Sequence, residues 1–179
     1  MGTSKIQIKD MALIAVMTAV TCVLAPLSIP IGPVPISLTN LAIYFGLYLI
    51  GTKKEVISYI VYMIIGLVGI PVFSGFTGGP AKLIGPTGGY IIGFVPMAIV
   101  AGLVIDRFRD KIVPCFLGMV VGTIICYALG TAWLAYQGQM ELKAALFAGV
   151  IPFIPGDLIK MGIAAFFGRV IRKRVDRAV

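Results

Sequence analysis

The chain has 179 residues, of which 59% are apolar and only 12% charged; its formal net charge is +8 and it contains no histidine. That composition lies well beyond the apolar share of ordinary globular domains and excludes a soluble enzyme built around histidine chemistry. It identifies an all-α integral membrane protein of one domain, residues 1–179.

Six membrane segments are expected in chain order. The first, about residues 10–27, is long for a secretory leader and ends at Pro26 without a small-x-small cleavage site, so it reads as a membrane helix. The second covers about 38–51 and is short. The third and fourth cover about 55–70 and 89–105. The fifth covers about 112–136 and the sixth about 145–171. Lys5, Lys9, Lys53, Lys54, Arg107, Arg109, Lys111, Arg169, Arg172, Lys173, Arg174 and Arg177 all fall on one side of this arrangement. Twelve of fifteen basic residues on one side place both termini in the cytoplasm by the positive-inside rule. Topology and anionic headgroups account for the positive charge, so nucleic-acid binding is excluded.

The connections on the other side are unusual. Residues 28–37, SIPIGPVPIS, carry no charge. Residues 73–90, FSGFTGGPAKLIGPTGGY, hold six glycines, two prolines and a single cation, Lys82. A loop that merely meets water has no need to be so apolar. Both are expected to fold back over a cavity between the helices, with a third outer loop at 137–144. Small-xxx-small spacings recur at Ala15–Ala19, Gly89–Gly93, Ala98–Gly102, Gly118–Gly122 and Ala164–Gly168, where helix backbones can approach closely.

The chemistry concentrates in PFIPGDLIK, residues 152–160. Asp157 and Lys160 are the ionisable side chains expected deep in an apolar segment, each costing roughly 2.5–3.5 kcal/mol to insert at a helix centre. Pro155 and Gly156 are expected to break the sixth helix and restart it near Asp157. The three-residue spacing sets both charges on one helix face. There they form either a packing ion pair or the lining of a solute cavity. Cys22, Cys115 and Cys126 are scattered in apolar runs without metal-ligand spacing. No Ser/His or Cys/His pair exists, and GLYLIGTK at 46–53 reverses the Lys-Ser/Thr order of a phosphate loop. The chain therefore reads as a non-enzyme without metal, cofactor or motor of its own: an ion-coupled small-solute carrier, or a subunit driven by others.

GLVGIPVFSGFTGGPAKLIGPTGGYIIGF (66–94), VPISLTN (34–40) and PGDLIK (155–160) resemble the BioY family, the biotin-specific substrate-binding subunits of energy-coupling-factor transporters. The resemblance implies a six-helix fold in a bacterial-type cell membrane that captures biotin from outside. It also implies partners, a transmembrane coupling subunit and two cytoplasmic ATPase subunits, with Ala15 and Ala19 in the docking stripe. Carried over, Asp157 accepts a ureido N–H, Lys160 faces polar or anionic groups, and Tyr90 forms pocket wall. Thr39, Asn40 and Thr77 fall in the same motifs, but relatives often carry Gln at 39, Asn at 77 and Arg at Ile91. The missing Arg singles out Lys82 as the expected cation for the biotin carboxylate.

Overall fold

The computed structural model describes residues 8–178, with side chains described as far as residue 174. The chain is helical nearly throughout, because runs of Leu, Ile, Val, Ala and Met in lipid must satisfy every backbone N–H and C=O within the segment. In order come α1 (Ile8–Leu24), a short hairpin of β1 (Ser28–Ile29) and β2 (Ile36–Ser37), α2 (Thr39–Ile50), α3 (Thr52–Leu67), α4 (Pro80–Ile84), α5 (Gly88–Arg107), α6 (Ile112–Gly138), α7 (Leu142–Gly149) and α8 (Ile154–Ile163). A π-helical turn, Ala164–Gly168, joins α8 to α9 (Arg169–Ala178). The strands pair antiparallel, Ser28 with Ser37 and Ile29 with Ile36.

Helices cover all six expected stretches, with two differences. The third outer connection is shorter than 137–144: α6 runs to Gly138, Gln139 adopts a left-handed conformation that stops it, and α7 begins at Leu142. The break in the last stretch lies earlier than Pro155–Gly156, in the turn over residues 150–153. Pro152 disfavours helix at the residue before it, whereas Pro155 sits in the first turn of α8, where its missing N–H costs nothing. Among the described residues, α5 and α6 are each long and apolar enough to cross a bilayer, and α7 with the helical run after it, bent by 45°, makes a third such unit. At 12 residues α2 spans about 18 Å, short of a ~30 Å hydrocarbon core.

The basic residues gather at one end of the bundle. There Lys54 pairs with Asp10, and Arg109 with Asp106 at 3.2 Å. Asp106 also accepts from the Thr52 backbone N–H and hydroxyl, at 3.2 and 2.5 Å, pinning the start of α3 to the end of α5. Lys5 lies outside the described residues. The two apolar connections lie at the opposite end. The Gly75 N–H donates to the Pro26 carbonyl at 3.1 Å, tying one to the other, and Trp133 Nε1 donates to the Gly85 carbonyl at 2.9 Å.

The tightest helix pair is α5 with α6. Gly93 faces the backbone of Cys126, and Gly122 faces the carbonyl of Met97, so close that a Cβ added at 122 would lie 2.8 Å from that oxygen. The glycine spacings at 89/93 and 118/122 therefore serve this internal contact. Ala15 and Ala19 are exposed instead, in an apolar groove between α1 and α3.

Candidate functional site

Between the helices and beneath the two apolar loops lies a cavity of about 700 Å³, part of it open to solvent. The hairpin supplies Val34, Pro35 and Ser37, and the second loop supplies Phe73, Ser74 and Thr87. The predicted infolding of these loops is thus explained by what they cover. Helices α2, α3, α5, α6 and α8, with Gly149 at the end of α7, complete the wall.

One wall is aromatic. Tyr59 stacks edge-on against Phe94 at 6.0 Å, and Tyr62 against Phe73 at 5.6 Å. Their hydroxyls are committed elsewhere, Tyr59 donating to the Ile91 carbonyl at 2.9 Å and Tyr62 to the Val72 carbonyl at 3.1 Å. These rings therefore offer the cavity apolar faces held in fixed orientation. Tyr90 is fixed in the same way, donating to the Gly149 carbonyl at 3.0 Å.

The opposite wall is polar and converges on α8. Asp157 and Lys160 are both buried and pair at 3.0 Å. Lys160 Nζ also donates to the Ser37 carbonyl at 2.7 Å and to Asn40 Oδ1 at 3.2 Å. The other Asp157 oxygen, Oδ2, accepts the Tyr127 hydroxyl at 2.6 Å. This ammonium thus ties the hairpin, α2 and α8 together, and the Tyr127 phenol holds the carboxylate from α6. Buried charges survive only when paired and hydrogen-bonded in this manner. Pairing alone would also suit a purely structural bridge. Both side chains also border the open cavity.

Of the residues expected at the site, Asp157, Lys160, Asn40, Thr39 and Tyr90 line the cavity together. Thr77 and Lys82 do not. The exposed Thr77 hydroxyl turns back to the Ser74 carbonyl at 3.0 Å. It is the backbone carbonyl of Lys82, not its amine, that meets the lining residue Thr87, at 3.4 Å. Partial burial lowers the pKa of Lys82, as expected for an ammonium losing water without gaining an anion. Among the described residues no cluster of three His, Cys, Asp or Glu side chains could hold a metal.

Tyr127 is a site residue that the sequence motifs do not single out. Its signal was the four-residue step Thr123–Tyr127–Thr131 in the middle of an otherwise apolar segment, which puts three hydroxyls along one face of α6. A tyrosine hydroxyl buried in lipid needs a partner, and here Asp157 is that partner.

The BioY family model matches residues 1–177. The chain is 35% identical to the biotin transporter BioY2 of Lactococcus lactis subsp. cremoris, over 89% of this chain and 87% of that one. It is 38% identical to a probable biotin transporter BioY of Pyrococcus horikoshii, over 87% and 91%. Among solved structures it is similar to the S-component for biotin from an ECF-type ABC transporter, with a TM-score of 0.86, 31% identity and coverage of 97% and 95%.

Proposed function

The chain belongs to the BioY family, and from that premise we propose that it captures biotin outside the cell and passes it inward as the substrate-binding subunit of an ATP-driven energy-coupling-factor transporter. The observation that carries this reading is the buried Asp157–Lys160 pair at the edge of a cavity that is otherwise aromatic and apolar. Biotin matches such a lining: a polar ureido head, an apolar bicycle and chain, and a carboxyl tail. Asp157 retains lone pairs for a ureido N–H. Asn40 forms no hydrogen bond through its amide nitrogen among the described residues, which leaves that N–H₂ for the ureido oxygen. Thr39 and Tyr90 shape the wall between them. Lys160 has spent its donors on protein acceptors and acts by holding Asp157 in place.

The protein supplies capture, and separate subunits supply hydrolysis. The partners are a transmembrane coupling subunit and two cytoplasmic ATPases, with the exposed Ala15 and Ala19 meeting the coupling subunit. We infer six crossings of the cell membrane with both termini cytoplasmic. The gathering of Lys54, Arg109 and Lys173 at one end of the bundle supports this orientation. The solved relative's description supports the subunit reading over an ion-coupled carrier.

Mass spectrometry of the small molecule retained through detergent purification tests the proposal. Biotin in near-equimolar amount is the expected result, and a different retained solute would refute it. Tyr127→Phe is expected to weaken biotin binding roughly tenfold, in line with loss of one hydrogen bond to a charged group, with little change in thermal stability. Titration calorimetry reads the first effect and a melting curve the second. Unaltered affinity would show that Tyr127 does not position the carboxylate.

A further inference from the structure

We propose that the cavity reads the head of its ligand and not the charge of its tail, so that neutral carboxyl derivatives of biotin, its primary and N-methyl amides, are ligands of the same site. This rests on the biotin reading above and adds a substrate class to it.

The argument is a count of charges and donors. The lining contains one cation and one anion, Lys160 and Asp157, and they neutralise each other at 3.0 Å. An ammonium has three N–H bonds, and those of Lys160 meet Asp157, the Ser37 carbonyl and Asn40. No donor of that cation is left for a second anion unless the hairpin lets go. Every other lining residue is neutral, and position 91, where the chain passes the cavity on α5, is isoleucine. A carboxylate sealed in this space would be an unpaired buried charge, which proteins do not tolerate.

The carboxyl end therefore stays at the mouth. The loop residues in the lining that keep some exposure are Pro35, Ser37 and Ser74. They put the opening between the hairpin and the segment after Phe73. Hydroxyls and water there solvate a carboxylate and an amide about equally, since a hydroxyl both donates and accepts. The Lys82 amine does not line the cavity, so it adds no charge selectivity there. The ureido head differs. It lies against fixed, buried polar groups, and loss of one of its hydrogen bonds leaves those groups unpaired.

The test is calorimetric titration of the full chain, purified from biotin-depleted cells, with biotin, biotin amide and biotin N-methylamide, on wild type and Lys82→Ala. We expect the three ligands to bind the wild type within about threefold of one another, and Lys82→Ala to leave their ratios unchanged. If biotin binds and both amides bind more than tenfold weaker, the inference is overturned while the biotin reading stands. The same holds if Lys82→Ala weakens biotin alone. If none of the three binds, the biotin reading falls and takes this inference with it.

Discussion

Asp157→Ala is expected to lower biotin affinity roughly a hundredfold, the loss that follows when a buried charged acceptor is removed from a ligand N–H. The residue is 6% exposed, so the carboxylate is a buried one. The substitution also removes the counter-charge of Lys160 and the acceptor of Tyr127. Breaking a buried pair from one side costs about 3–5 kcal/mol, so some of the stability goes as well. Asp157→Asn and the double change Asp157→Asn with Lys160→Met separate the two effects. The first keeps the shape. The second removes both charges and is expected to restore the melting temperature without restoring binding. Calorimetric affinity that survives in the folded single or double variant would remove Asp157 from the site.

Gly122→Leu is the second large effect, and it acts through the packing of two helices behind the cavity wall. A Cβ at this position lies 2.8 Å from the Met97 carbonyl oxygen and 3.2 Å from Met97 Cγ. The first of these is backbone and cannot rotate away, so α6 must move off α5. Overpacking of this kind costs about 1–3 kcal/mol and occasionally more, which for a chain of this length lowers the melting temperature by roughly 2–12 °C. Binding should fall too, because α5 and α6 carry facing parts of the wall: Tyr90, Ile91, Phe94 and Met97 on one, Thr123, Cys126 and Tyr127 on the other. Gly162→Leu is the control, since nothing lies within 4 Å of a Cβ there. Equal melting temperatures for the two variants would show that the α5–α6 contact is not the tight one.

Much of the site was legible from local pattern. An ionisable pair three residues apart inside an apolar run declares itself by its insertion cost, and Asp157 and Lys160 were found on that ground. The uncharged, proline-rich loop at 28–37 declared itself by being too apolar for water, and it covers the cavity. Lys82 was singled out on similar logic, as a lone charge in a neutral loop, yet its amine does not reach the lining. Isolation in sequence says nothing about direction: it is the Lys82 carbonyl that meets Thr87, and Lys82 is not among the lining residues. The helix break was placed at the wrong proline for a related reason. Pro152 and Pro155 are equal in sequence, but only one of them finds its missing N–H harmless.

What the sequence determined by itself is whatever depends on transfer from water to lipid: the helical class, the extent of the helices, the charged end, and the cost that makes Asp157 and Lys160 exceptional. These are sums over neighbouring residues and need no partner. What only the tertiary structure decided is which donors meet which acceptors. Lys160 reaches Ser37 and Asn40 across more than a hundred residues of chain, and Tyr127 reaches Asp157 from another helix. A hydrogen bond is worth making only within about 3 Å and in one orientation. Whether the ammonium is free to bind a ligand or fully spent on the protein is therefore a property of the assembled bundle, and it is that property which leaves the cavity electrically neutral.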